Sequence, residues 1–332
     1  MQEKLSNQKI LIILMGSLGD LVRGLSILPK LKAENPQIKV NWLVDSRWVS
    51  LLTDHPLIDE VLVLPRPFKR QSFLTLYKAL RSNKYDLVLD LQRIFKSGVL
   101  SFMTGAKRRI GFNPKNSKEF NSYFNNEYID FFSDQENKIH CYHAFLDKIG
   151  IQSLEPYTAG LDFLKQDFPS DLQLEDDVVA LILESSWSSK NWSDTGYLKL
   201  TELLVKDSKR QVVLLGTAQV SELAEKIKSV SPDRVINLAG KTNLRQLAAV
   251  LSKVNVAVGP DSGPGHLASA MGTRYISLFG PTDPNRVAPY GQLEDAIVAD
   301  VVCRPCNRRV CPGLGKVCMR LIQPETIVSK IS

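Results

Sequence analysis

The chain has no apolar run approaching the roughly 18 residues that a membrane-spanning helix needs. Its early apolar stretch, Ile10 to Leu14, follows a polar opening and lacks a cleavage site, which argues against a signal peptide. A cytoplasmic location is therefore expected. Cysteine is scarce, five in 332 residues, and a cytoplasmic chain is not expected to pair them as disulfides. Of the four histidines, His140 and His143 could share a helix face at i, i+3 spacing. No carboxylate partner is evident for them, so they read as structural and a histidine-based metal site is not expected. No recognised nucleic-acid-binding motif appears. The turn after the first strand, Gly16-Ser17-Leu18-Gly19-Asp20, is not G-x-G-x-x-G, which counts against a nucleotide-linked oxidoreductase. Acid is missing altogether between Arg93 and Lys118, a stretch that carries Arg93, Lys96, Lys107, Arg108, Arg109, Lys115 and Lys118. It reads either as a solvated basic face or as a platform for an anionic acceptor or membrane.

What is present suggests two domains of about 150 residues each. The hydrophobic fraction of 44% is enough for two cores, and the formal charge of +7 points to an anionic partner. Buried-strand patterns recur at 9–15, 40–44, 61–64, 87–91, 178–183 and 212–215. They alternate with helical patterns at 21–34, 48–53, 72–82, 140–149, 196–206, 220–230 and 244–250. That alternation argues for parallel α/β sheets. Residues 113–126, rich in Asn, Ser, Lys and Phe, read as a mobile loop. Residues 153–174 lack periodicity and carry Pro156 and Pro169, as a linker would. The expected organisation is an N-terminal domain at 1–160, a C-terminal domain at 175–322, and a terminal helix at 323–332 packing back on the N-terminal domain.

The richest stretch runs from Val256 to Tyr290. An apolar strand breaks at Gly259-Pro260, a helix starts with Asp261 or Ser262 as its cap, and Gly272 stops it. A second strand, Tyr275 to Phe279, ends in Gly280-Pro281-Thr282-Asp283-Pro284. A strand that feeds a glycine-rich turn into a helix aims unpaired N–H groups at one spot, which suits a phosphate or diphosphate. Asp261, Ser262, Gly263 and His266 crowd that turn beyond what a turn requires. Ser185, Ser186 and Lys190, after the first strand of the second half, could hold phosphate oxygens and neutralise a departing diphosphate. Asp20 stands beside a helix start after the first strand. On position alone it reads equally as a general base or as a helix cap. Cys303, Cys306, Cys311 and Cys318 fall within sixteen residues. That spacing resembles a structural zinc site, with packed thiols or an iron–sulfur cluster as alternatives; any metal would be structural, with none expected in catalysis.

As a set, these motifs make the chain resemble glycosyltransferase family 9, the heptosyltransferases of lipopolysaccharide core synthesis. The resemblance covers nearly the whole length. It rests on I-L-I-I-L-M-G-S-L-G-D, L-P-K-L, N-W-L-V-D, W-S-S-K-N-W, V-V-L-L-G-T, N-L-A-G-K-T-N-L, G-P-D-S-G-P-G-H-L-A-S-A-M-G, L-F-G-P-T-D-P and C-x-x-C-x-x-R-x-C-P, in the family's order. It implies the GT-B architecture: two Rossmann-like lobes facing across a central cleft, with donor on the C-terminal lobe and acceptor on the N-terminal one. It also implies inverting transfer without a catalytic metal or other cofactor. Asp20 matches the family's base. Ser185, Ser186 and Lys190 match the phosphate loop, and Glu222 falls where a carboxylate holds the nucleotide ribose. Asp261, Ser262, Gly263 and His266 match the donor motif. Arg93, Lys96, Arg108 and Arg109 are the acceptor-side candidates. Gly265, Arg23 and Asn191 depart from common family choices, and Gly265 is expected to loosen its turn. The implied partners are a nucleotide sugar, ADP-heptose above others, and a phosphorylated glycolipid, with peripheral contact at the anionic inner face of the inner membrane and no nucleic acid. The alternatives are another nucleotide sugar on the same fold, or a non-catalytic sugar-nucleotide-binding protein.

Overall fold

In the computed structural model the chain is described over residues 8–67, 69–153, 155–206, 210–313 and 315–331. It divides into two compact units between Phe163 and Leu164. The first holds a six-stranded parallel sheet of β1 (Lys9–Ile13), β2 (Lys39–Asp45), β3 (Glu60–Leu64), β4 (Leu87–Asp90), β5 (Arg108–Gly111) and β6 (Glu127–Tyr128), in the order β3-β2-β1-β4-β5-β6. The second holds β7 (Val178–Ile182), β8 (Gln211–Leu215), β9 (Val235–Asn237), β10 (Val256–Pro260), β11 (Arg274–Phe279) and β12 (Ala296–Val298), in the order β12-β11-β10-β7-β8-β9. Counted within each unit, both sheets run 3-2-1-4-5-6. The fold is α/β, two Rossmann-like lobes of the GT-B architecture.

Sequence explains this arrangement strand by strand. β1, β7 and β8 read as near-continuous apolar runs because helices cover both faces; Ile10 to Ile13 and Leu181 are fully buried. β5, β6, β9 and β12 escaped the sequence reading. They are two to four residues long, too short for a period to show, and β5 lies inside the cationic stretch.

Each sheet reverses its winding beside its first strand, between β1 and β4 and between β7 and β10. In open α/β sheets the crevice outside the carboxyl ends at that reversal is where ligands bind. Asp20 follows β1, Ser185 follows β7 and Asp261 follows β10, so the candidate residues sit at these two switch points.

Several expectations need correction. The helix expected at 21–34 starts earlier and breaks in two, Leu18–Leu25 and Ile27–Glu34. Pro29 has no N–H to give the Leu25 carbonyl, so one continuous helix would lose a bond there. At the break the Ser26 hydroxyl donates to the Arg23 carbonyl at 2.6 Å. Leu21, Leu25, Leu28 and Leu31 still share one buried face. The helix Pro324–Ile331, expected against the N-terminal domain, packs into the core of the second lobe. Its Ile327 is fully buried in the core that contains Leu200, Leu214 and Leu278, and the Trp192 indole donates to the Ile322 carbonyl just before it.

Residues 113–126 are not a mobile loop. Asn121 is fully buried and donates to Asp90 at 2.6 Å, and Asn125 donates to the same carboxylate oxygen at 3.2 Å. Burial pushes the Asp90 carboxyl up, only partly offset by hydrogen bonds from Asn121, Ser97 and Asn125. No helix among the described residues is long and apolar enough to cross a membrane.

Candidate active site

On the first lobe the turn after β1 is fixed from β4's side. The Gln92 carboxamide oxygen accepts from the Met15 N–H at 2.7 Å and the Gly16 N–H at 3.2 Å. Gly16 has φ +139°, and a Cβ there would meet the Trp48 indole nitrogen at 2.7 Å, so glycine is required. Asp20 lies in the first turn of the Leu18–Leu25 helix. It does not cap it: its partners are side chains. Ser17 donates to it at 3.1 Å, Arg23 at 3.1 Å and Lys138 at 3.0 Å. Burial alone would raise its pKa. The charges of Lys138 and Arg23, with hydrogen bonds from Lys138 and Ser17, outweigh burial and hold it well below the usual carboxylate range. Lys138 was missed by the sequence reading. Its Asp20 partner favours the ammonium form, yet burial and the charges of Arg23 and Arg93 together push its pKa down. Two cations thus touch one carboxylate, with Arg93 in electrostatic range.

The other acceptor candidates separate. Arg108 makes a two-point pair with Glu127 at 2.8 and 2.9 Å. Arg109 donates to the carbonyls of Phe124 and Ala106 at 2.9 and 2.5 Å and lies over Phe102. Lys96 is exposed. Arg93 lies 5.1 Å over the Phe112 ring. His140, read as lacking a carboxylate, has Glu136 at 2.6 Å and Glu155 at 3.6 Å. His143 is structural: it stacks on Tyr157 and hydrogen-bonds Ser26 at 2.7 Å, and burial pushes its pKa down to about 3.

The second lobe gathers its candidates around Asp261. Lys190 reaches Asp261 Oδ2 at 2.6 Å, Thr282 donates to the same oxygen at 2.8 Å, and His266 Nε2 stands 3.9 Å from Oδ1. Ser185 donates to the Asp261 backbone carbonyl at 2.9 Å. Ser262 is the N-cap of the helix Gly263–Ala270, its hydroxyl accepting from the Gly265 N–H at 3.3 Å. That helix end is a local source of positive potential beside the lysine. Lys190 also lies 4.3 Å from the centroid of Trp187, with Arg309 at 5.6 Å from the same ring.

Gly265 does not loosen the turn. A Cβ there would meet the Tyr275 ring at 2.2 Å, and Tyr275 itself donates to the Pro260 carbonyl at 2.6 Å. The glycine lets the helix start press against this tyrosine. Asn191 has a local duty, its side chain accepting from the Ser185 N–H at 2.7 Å. Ser186 is exposed, and Glu222 is 85% exposed and paired with Lys226 on its own helix. Neither is pre-positioned by the Asp261 cluster.

The cysteine-bearing loop supports this site from behind. Ser189 donates through its hydroxyl to the Arg308 carbonyl at 2.6 Å and through its N–H to the Arg309 carbonyl at 3.2 Å. Arg304 donates to the Gly280 carbonyl at 2.6 Å, and the Asn307 N–H to Pro281 at 2.8 Å. Cys303 and Cys306 are exposed, Cys311 is half-buried and Cys318 is buried. Burial and the nearby thiols push Cys318's pKa up. Among the described residues no three His, Cys, Asp or Glu side chains are placed to hold a metal ion, so zinc, one of the three readings of the cysteine cluster, finds no ready-made site there. Metal analysis of the purified protein is its test.

With this geometry in place, comparison supplies the family. The family model described as glycosyltransferase family 9 (heptosyltransferase) matches residues 73–316. The chain belongs to glycosyltransferase family 9. It is 30% identical over 297 residues to a lipopolysaccharide core heptosyltransferase, OpsX of Haemophilus influenzae, covering 87% of this chain and 84% of that one. Among solved structures, a family 9 glycosyl transferase from Veillonella parvula matches with a TM-score of 0.81 at 20% identity, over 99% of this chain and 97% of that one. The heptosyltransferase WaaC of Escherichia coli, solved with ADP-2-deoxy-2-fluoro heptose, matches at 0.78 and 21%, over 97% and 98%. Family 9 membership makes this protein a glycosyltransferase.

Proposed function

We propose that this family 9 enzyme moves a heptose from ADP-heptose to a hydroxyl of a lipopolysaccharide inner-core acceptor, with inversion and without a catalytic metal. The observation that carries the reading is the Lys190–Asp261 pair at the β10 switch point, beside a capped helix start, in a chain whose OpsX relative is named a lipopolysaccharide core heptosyltransferase. The acceptor oxygen attacks the anomeric carbon as the bond from that carbon to the diphosphate oxygen breaks. The hydroxyl proton passes to Asp20, and the negative charge leaves toward Lys190, the serine loop and the N–H groups of the Gly263 helix start. The transition state resembles an oxocarbenium ion. In such a state the attacking hydroxyl becomes strongly acidic as its oxygen commits to carbon. A carboxylate held at low pKa by Lys138 and Arg23 is then still base enough, and it stays ionised at any working pH. Because fixed protein cations take up the leaving charge, a divalent metal has no required part, and transfer should persist in excess EDTA.

The partners follow: a nucleotide sugar at the second lobe and a phosphorylated glycolipid at the first. A lipid-borne acceptor also places the enzyme peripherally on an anionic membrane, at the cytoplasmic face of the inner membrane. The test is a thermal-shift screen of ADP-, UDP- and GDP-linked sugars followed by mass spectrometry of the acceptor. Selective stabilisation by ADP-heptose and a mass gain of one heptose are expected. Stabilisation by UDP- or GDP-sugars alone would move the reading to another donor, and binding without any transfer would leave a sugar-nucleotide-binding protein.

A further inference from the structure

Five of the six exposed large aromatic side chains among the described residues lie between Phe95 and Phe131; Tyr77 is the other. Exposed rings gathered this way mark an interaction surface. Phe95 and Phe102 stand on one face of the helix Phe95–Met103, seven residues apart, and are 51% and 59% exposed. Phe120 and Tyr123, in the neighbouring turn, are 74% and 81% exposed. Phe124, next in the chain after Tyr123, packs against the helix pair, its ring centroid 5.4 Å from Phe95 and 6.4 Å from Phe102.

These rings are presented, not frayed. Asn121 and Asn125 anchor the turn to buried Asp90, and the Ser122 N–H donates to the Ser117 hydroxyl at 3.0 Å. Phe120 has φ +59°, a left-handed conformation that bulky side chains seldom adopt and that needs support from its surroundings. A groove of about 500 Å³ opens beside Phe120 and Tyr123.

Around the rings stand exposed Lys96, Lys107 and Lys118. Glu119, an acid among them, accepts from the Phe95 N–H at 3.3 Å. We propose that this surface is where the protein sits on an anionic bilayer, with Phe120 and Tyr123 entering the headgroup layer and the lysines facing lipid phosphates. The inference rests on the glycolipid-acceptor reading and names the surface that serves it. Aromatic rings favour the water–lipid interface, and lysines are drawn to anionic lipid. A second copy of the chain fits less well, since it would set lysine against lysine. The surface also begins three residues after Gln92, which fixes the turn before Asp20, so lipid held here leaves its sugar on the base's side of the lobe.

The full-length protein is tested by co-sedimentation with vesicles of phosphatidylcholine, with and without phosphatidylglycerol. Binding to the anionic vesicles alone is expected, weakening as salt rises. Phe120→Ser with Tyr123→Ser should weaken it about tenfold at unchanged Tm, and Lys107→Gln with Lys118→Gln should reduce its salt dependence. Transfer to a delipidated, water-soluble acceptor should be unchanged in the aromatic variant, while transfer to a vesicle-borne acceptor falls about tenfold. Failure to bind anionic vesicles, or binding that ignores loss of the two rings, overturns the proposal. So does a dimer in sedimentation velocity that the same double substitution dissolves. Vesicle binding needs no sugar donor, so absence of any transfer would sink the catalytic reading and leave this surface standing.

Discussion

Each lobe carries one carboxylate at its sheet's switch point, and each carboxylate has a lysine, but the two are built differently. Asp20 is surrounded by cations: Arg23 three residues along the same helix, and Lys138 from a helix 118 residues away. Its pKa is driven far down, and its environment carries more positive than negative charge. Asp261 is matched by one lysine, a threonine hydroxyl and a more distant histidine, so charge there is closer to balance. The difference suits the two tasks. A carboxylate that must be ionised when the acceptor arrives is best set among excess cations, which can also meet the acceptor's anionic groups. A carboxylate that positions a lysine for an incoming diphosphate needs to hold it without trapping it.

Asp20→Asn breaks that contrast most directly. It keeps the shape and removes the base, so kcat should fall by about 10²–10⁴-fold, with ADP affinity nearly unchanged because the donor groups lie in the other lobe. Rates like the wild type's would take Asp20 out of the mechanism. Lys190→Ala should act on the other side, weakening ADP by about tenfold or more, since a charge-assisted contact of about 1.5–3 kcal/mol is lost. Calorimetry reads this. Because the change also leaves Asp261 buried and without its cation, Tm should drop too; unaltered ADP affinity would contradict the assignment whatever Tm does.

Much of the donor side was legible because its signals are local. Strand, glycine turn, cap and helix follow one another between Val256 and Gly272, and each residue type acts on neighbours in the chain. The acceptor side was not legible in the same way. Nothing near Asp20 announces Lys138, and nothing near Asp90 announces Asn121 and Asn125. These are contacts between elements that only the sheet order brings together. The basic stretch shows the same limit. Composition suggested a solvated basic face or one cationic platform for an anionic partner, whereas folding engages Arg108 with Glu127 and Arg109 with two carbonyls, leaving the lysines and the exposed rings as the outward face. The terminal helix shows it too: Pro324 marks where the helix begins, but not the core that Ile327 enters.

Gly265 sharpens the comparison from the packing side. Gly265→Ala drives a methyl into Tyr275, whose ring is fixed by its own hydrogen bond, so the helix start or the ring must shift. A destabilisation of about 1–3 kcal/mol is expected, together with weaker ADP binding, as Ser262 and Asp261 ride on the same turn. Chemical denaturation measures the first. An alanine variant as stable as the parent would mean that the turn has slack.

The smallest expected effect tests the electrostatic half of the contrast. Lys138→Gln removes the largest attractive contribution to Asp20's low pKa and leaves burial, the larger opposing one, resisted only by Arg23 and the Ser17 hydrogen bond, so that pKa should rise. Asp20 is a carboxyl depressed in the folded state, so its pairing stabilises the fold above about pH 3.8 and that contribution is lost as pH falls through the folded pKa. The substitution should therefore destabilise the protein at pH 7, and the gap between variant and parent should close in acid. In the parent, protonation of Asp20 cannot set the acid limb of the pH–rate profile; in Lys138→Gln that limb should move upward in pH. A profile that does not move would show that Lys138 serves only to hold its helix against the first, and that the cations around Asp20 play no part in tuning the base.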